Sequence, residues 1–271
     1  MGQIIEHESG LDAIEIGGEK YVLACLPTDS KIRMAFRSYQ ELDLPRMAVE
    51  PISRRDFLGE MFLLNQKSNG SCVGFATAGA MMDCRALAGY TPQRLSGAFI
   101  YSYINGGRNN GASIGDALTA AQRYGTCLET EAGWDAIYPN RIPAAARETA
   151  QRFLLEEGYR IDSFSDALDA ISKGFTIVYA VMVGGTFDRL DSEDVVGLDR
   201  GPGNHAVRAN GIYISQKWGP CLDSRNSWGQ WGNNGWFRTS QRHFEGVQQD
   251  AFAIRSVKFD PMDPKQLPTA K

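Results

Sequence analysis

Residues 65–82 read Asn-Gln-Lys-Ser-Asn-Gly-Ser-Cys-Val-Gly-Phe-Ala-Thr-Ala-Gly-Ala-Met-Met. Asn69, Gly70 and Ser71 are turn and N-cap residue types. From Cys72 onward no charge appears until Asp83, and the run is apolar or small on every side. That pattern predicts a helix buried in the domain interior. Gly89 suits the position just past its end, and Pro92 follows. Cys72 therefore falls in the first turn of a buried helix. Exposed backbone N–H groups and the positive end of the helix dipole would favour a thiolate there. Gln66, a little upstream, carries a side-chain amide that could fold over the same spot. On this stretch alone, a small buried hydrophobe at a helix start is an equal reading.

A thiol nucleophile needs a base, and the base needs a group to orient it. The chain has three histidines, His7, His205 and His243. Only His205 stands in a suggestive context: residues 201–208 read Gly-Pro-Gly-Asn-His-Ala-Val-Arg, a glycine-rich loop running into a strand pattern. Farther on, residues 224–229 read Ser-Arg-Asn-Ser-Trp-Gly. Alone, His205 would be a structural histidine and Asn226 a turn residue.

Together these blocks resemble the papain-like cysteine peptidases. Gln66 and Gly70-Ser71-Cys72 match the nucleophile loop, with Phe75 in its usual place. Leu95-Ser96 and Tyr101 resemble the next helix, and Asn105-Gly106-Gly107 resembles the glycine pair of the substrate cleft. His205-Ala206-Val207 and Asn226-Ser227-Trp228-Gly229 match the other two catalytic blocks. His205 and Asn226 follow Cys72 by roughly the 130–150 residues that separate these groups in the family. The resemblance covers about residues 45–260. It implies an α+β fold of two lobes, a helical one followed by an antiparallel, barrel-like strand-rich one, with the active-site cleft between them. It also implies roles: Cys72 as nucleophile, His205 as base, Asn226 as its orienting group and Gln66 as oxyanion donor. Trp228 would cover the His–Asn bond, and Gly106, Gly107 and Asn204 would line the substrate cleft. The chain departs from the family at Val73, where Trp is usual, and at Asn204 and Arg225, which leaves cleft shape and side-chain preference open.

Composition narrows the classes. Hydrophobic residues make up 43% and charged residues 22%, ordinary for a globular protein. A net charge of −4 gives no reason to expect nucleic acid. No apolar run reaches membrane-spanning length, and the first residues lack a signal-peptide pattern. No Cys or His pair has metal-ligand spacing, so neither metal nor other cofactor is expected. Five cysteines occur, a count that allows one nucleophile plus two bridges. The family resemblance weighs against bridges: Asn69 and Ile104 stand where secreted members carry a disulfide. That implies a reducing origin, cytoplasmic or within an intracellularly assembled particle.

In chain order, residues 1–44 read as an extension with a hairpin about Gly17-Gly18. It is too short and strand-like for the family's helical prosegment. It is either a hairpin packed on the enzyme or a segment that occludes the cleft or docks to a partner. Residues 65–171 read as the helical lobe, with helix starts at Ser96, at the capping box Ser113–Asp116 and at Pro143, the last running to Glu157, and a short helix over 165–174. Residues 175–260 read as the strand-rich lobe, with strands over 175–183, 205–214, 235–239 and 252–259. Residues 261–271 read as a tail. The function expected is peptide-bond hydrolysis of a polypeptide substrate. The alternative is a papain-fold binding or structural component of a larger assembly, for example a virus particle. Acyl transfer to an amine by the same residues is a third.

Overall fold

A computed structural model of the chain describes residues 2–247 and 250–258. The tail expected over 261–271, and Phe259 at the end of the last expected strand, lie outside the described residues.

The chain opens with a three-stranded antiparallel sheet, β1 (Gln3–Glu6), β2 (Asp12–Ile16) and β3 (Glu19–Val22). The β2–β3 turn uses Gly17 and Gly18 at φ of 61° and 83°, which only glycine adopts freely. A two-residue strand, β4 (Cys25–Leu26), and helix α1 (Ser30–Ala35) follow. An exposed stretch, residues 43–51, then leads to the main body.

The helical half is built on α2 (Cys72–Leu87), with α3 (Gly97–Ser102) packed against it. Strand β5 (Ala112–Ser113), α4 (Ile114–Tyr124) and α5 (Ala144–Ala150) complete it. All residues of α2 but Leu87 are buried. Its small residues explain how: a Cβ on Gly74 would lie 2.3 Å from the Gly97 carbonyl, and one on Gly79 would lie 2.5 Å from the Arg208 guanidinium. Each glycine costs helix stability of about 1 kcal/mol, offset here by close approach of α3 and of the sheet. The expected caps form: Ser96 Oγ accepts from the Phe99 N–H, and Ser113 Oγ from the Asp116 N–H. Helix α5 is shorter than expected. It stops at Ala150 because the next residues bond elsewhere: the Leu155 N–H donates to the Ala121 carbonyl and the Glu156 N–H to the Ser256 carbonyl.

After β6 (Gly158–Arg160) and α6 (Phe164–Ser172) come β7 (Thr176–Val181), β8 (His205–Ser215), β9 (Gly219–Arg225), β10 (Trp236–Ser240) and β11 (Ala251–Ile254). They form one six-stranded sheet in the order β10-β9-β8-β7-β11-β6, with antiparallel pairing throughout. Strand β9 is not among the strands expected from the sequence. Its run Gly-Pro-Cys-Leu-Asp-Ser-Arg is too polar to read as a strand, and its polar residues are satisfied only inside the fold.

One buried ion pair ties the halves together. Arg208 on β8 donates through Nε to Asp83 on α2 at 2.8 Å, and both side chains are essentially unexposed. A bulge between Ala209 and Gly211 turns Asn210 so that its Nδ2 reaches the same carboxylate at 2.8 Å. Arg208 Nη2 also donates to the Phe62 carbonyl. Removing one partner would strand a buried charge. Asp83→Ala is therefore expected to cost about 3–5 kcal/mol of unfolding free energy in a denaturant titration. A loss below about 1 kcal/mol would show that the pair does not join the halves.

Candidate active site

Cys72 is the first residue of α2, with Ser71 at the N-cap position. The Ser71 hydroxyl makes no capping bond, so the helix N-terminus keeps its N–H groups for other acceptors. The thiol is fully buried. Burial pushes its pKa up to about 11, while N–H groups of Ala206, Ala24, Val73 and Cys72 itself act in the opposite direction. Ala206 is the neighbour of His205, so the start of β8 lies close to the thiol, though no hydrogen bond joins sulfur and imidazole among the described residues. His205 opens β8, paired with Val181 of β7.

The imidazole is oriented from behind. His205 Nε2 and Asn226 Oδ1 are 2.8 Å apart, and the same oxygen accepts from the Ser227 N–H at 2.8 Å. The Trp228 ring lies on His205 with centroids 4.5 Å apart, which shuts water from the His–Asn bond. Nδ1 has no hydrogen-bond partner among the described residues. Burial pulls the imidazole down to about 4, and the Asn226 bond opposes that shift. In this conformation thiol and imidazole are a neutral pair, because desolvation penalises both charges.

Gln66 is fixed on the same wall. Its backbone N–H donates to the Ser227 carbonyl at 2.9 Å, and its Oε1 accepts from Ser227 Oγ at 2.7 Å. That leaves Nε2 facing Asn69, whose carbonyl accepts at 2.9 Å, and the carbonyl of Val22 at 3.4 Å.

Val22 belongs to a strap, residues 21–26, that lies across the site. Tyr21 stacks on Trp228 at 5.1 Å and donates to its carbonyl. The Ala24 carbonyl accepts from the Ala112 N–H at 3.2 Å, and the Cys25 N–H donates to the Asn204 carbonyl at 3.0 Å. Strands β4 and β5 pair parallel here. The result is a strand of this chain seated between the halves, leaving Cys72 and His205 with no exposed surface.

The strap also shows which backbone lines the cleft. Gly106 and Gly107, expected to lie along a substrate, instead form an exposed turn at φ of 61° and 77°, with nothing near either missing side chain. Gly111 and Ala112 are the residues that meet the strap: a Cβ on Gly111 would lie 2.3 Å from the Ala24 carbonyl. Gly111, two residues before Ser113, is the glycine the strap packs against. Asn204 faces the cleft through its carbonyl. Its side chain is turned back onto Val183, accepting from the N–H at 2.8 Å and donating to the carbonyl at 3.0 Å. The role of Ser227 has no signal in the sequence: nothing in its place between Asn226 and Trp228 says that it holds Gln66. All five cysteines are free and buried. Among the described residues no His, Cys, Asp and Glu group could hold a metal ion, and no helix is long and apolar enough to cross a membrane.

The fold recurs in solved structures. Xylellain, a cysteine protease from Xylella fastidiosa, superposes at a TM-score of 0.71 and 20% identity, over 88% of this chain and 96% of its own. Digestive procathepsin L 3 of Tenebrio molitor larval midgut gives 0.62 and 18%, over 84% and 77%. The ragweed pollen allergen Amb a 11, a cysteine protease in its proform, gives 0.66 and 18%, over 92% and 68%. No protein-family model matches the chain, and no curated protein matches it in sequence. The chain thus has the papain-like fold, an α+β architecture with a helical half and an antiparallel sheet.

The depressed imidazole makes the strap pH-sensitive. A pKa lowered from 6.5 to about 4 stabilises the covered form above the ordinary value, and that contribution is lost as pH falls from about 6.5 toward 4. Acidification should loosen the strap. Protection of the Cys25 amide from hydrogen exchange, corrected for intrinsic rate, is expected to fall across that window, and His205→Gln to flatten the change. Constant protection in the unmodified protein would show that His205 and the strap are uncoupled.

Proposed function

We propose that the chain is a cysteine endopeptidase that hydrolyses polypeptide substrates through Cys72, His205 and Asn226, with Gln66 as oxyanion donor. One observation carries the reading: Asn226 grips Nε2 of a buried imidazole beneath Trp228, leaving Nδ1 unpartnered among the described residues, and the next residue, Ala206, gives its backbone N–H to the Cys72 sulfur.

With the strap lifted, water and substrate dipoles relieve the desolvation, and the thiol passes its proton to His205. The helix N-terminus and the imidazolium then favour the thiolate. The sulfur attacks the peptide carbonyl carbon, and the oxyanion is held by the Cys72 N–H and Gln66 Nε2. His205 protonates the departing amine as the C–N bond breaks. Water, deprotonated by His205, then hydrolyses the thioester and releases the carboxylate. The strap's Val22 carbonyl, already within reach of Gln66 Nε2, supports that amide as a carbonyl-binding group.

The same strap favours a second reading, a papain-fold binding component, because the nucleophile is covered. A protease site engineered into exposed residues 48–50 separates the readings by nicking the chain behind the strap. After nicking, a thiol-directed epoxide should label Cys72, and Cys72→Ala should abolish the label. Equal labelling of both proteins would remove the peptidase reading. Gln66→Ala in the nicked enzyme is expected to lower kcat by about 10²–10³-fold with intact folding. An unchanged kcat would exclude it as an oxyanion donor.

A further inference from the structure

Arg225, the last residue of β9, carries a charge that the fold leaves without a carboxylate of its own. The residue is 3% exposed. Nη1 donates to the Leu58 carbonyl at 2.7 Å and Nη2 to the Gly59 carbonyl at 3.1 Å. A guanidinium has five N–H donors and stays charged in proteins, so these bonds leave most of its donors over. Nε has no hydrogen-bond partner among the described residues. The guanidinium rests on the Trp236 ring, 4.7 Å from its centroid, and Arg55 lies over the same ring at 5.4 Å.

The neighbouring cations are all provided for. Arg208 has Asp83, Arg55 has Asp194 and Asp223, and Arg94 has Glu129, each at 3.1 Å or less. Among the described residues Arg225 makes no such ion pair. Burial, with the charges of Arg208, Arg55 and Arg94, pulls its guanidinium below the ordinary range, and Asp83 opposes that shift. Asp83 is already engaged by Arg208 and Asn210. A buried cation without a counter-charge is unfavourable.

A cleft of about 300 Å³ opens beside this group. Arg225, Arg55, Leu63 and Trp236 line it, together with the exposed Asp56 and Glu60. A Cβ on Gly235 would lie 2.5 Å from Leu63 Cδ1 and 3.9 Å from Arg225 Nε. The unpartnered N–H therefore sits close to Leu63, a residue of the cleft wall. Cys72, His205, Asn226 and Gln66 are not among the lining residues. Water could accept from Nε but would bring no negative charge.

We propose that this cleft is a binding site for a small oxyanion, a carboxylate or a phosphate group, received by the Arg225 guanidinium. The planar fork of donors matches the oxygens of either group. Trp236 holds the plane of the fork, and Arg55, though paired, adds positive potential over the same ring. Asp56 and Glu60 act against an anion, but from exposed positions where solvent and salt screen them. The site is independent of the peptidase reading.

The full chain is titrated with inorganic phosphate or with acetate at neutral pH and constant ionic strength, sodium chloride making up the balance. The Arg225 Nε–H resonance is expected to shift saturably, with a matching rise in the unfolding midpoint. Tighter binding of acetate marks a carboxylate ligand, and tighter binding of phosphate a phosphate ligand. Arg225→Lys keeps the charge but loses the fork, and should weaken binding by about tenfold or more. The double variant Asp56→Asn, Glu60→Gln alters only exposed side chains and carries the test if Arg225→Lys does not fold. It should tighten binding about two- to fivefold. No saturable effect of either anion overturns the site, since water alone then serves Nε. Undiminished affinity in Arg225→Lys, or weaker binding in the double variant, overturns it as well.

Discussion

The buried pair between Asp83 and Arg208 decides where everything else can sit. Asp83 lies on the helix that begins at Cys72, and Arg208 on the strand that begins at His205. Joining the two carboxylate and guanidinium groups sets the relative position of both element starts. Burial holds the Asp83 carboxyl above its usual range, against the opposing pull of Arg208 and Arg225. The arrangement tolerates no approximation, since desolvation of either charge is repaid only by good geometry. Gly79 makes that geometry attainable by leaving the guanidinium space against the helix backbone.

The strap acts on the site through the same electrostatics. Covering the thiol and the imidazole removes the water that would solvate their charged forms. Each is driven to neutrality, the thiol to about 11 and the imidazole to about 4. Three of the strap's bonds to the body use its own main chain, to the Asn204 carbonyl, the Ala112 N–H and Gln66 Nε2, beside the Tyr21 hydroxyl bond to Trp228. These groups meet any extended peptide in the same way, whatever its side chains.

Local signals proved legible wherever chemistry and backbone agreed. The Cys72 helix, the Ser96 and Ser113 caps and the Gly17-Gly18 turn are written in residues that fix their own neighbours' conformation. The reading weakened where partners are distant in sequence. Strand β9 is polar because Asp223 receives Arg55 and Arg238, and Ser224 meets Tyr179. None of these contacts is visible in the local pattern. Helix α5 ends early because its continuation bonds to Ala121 and Ser256. Gly106 and Gly107 stand in an exposed turn, while Gly111 is the glycine whose missing side chain the strap requires.

By itself the sequence determined the chemical types: a cysteine at a helix start, a histidine at a strand start, an amide-bearing Asn226 before a tryptophan, and the order in which they come. Those types are local properties, set by capping, periodicity and the charge-free run after Cys72. Only the tertiary structure decided that residues 21–26 lie over the thiol, that Ser227 aims Gln66, and that Arg225 lies buried beside a cleft. Each depends on chain segments far apart in sequence being packed to within hydrogen-bonding distance. Burial and long-range contact are properties of the folded whole, and no window of residues encodes them alone.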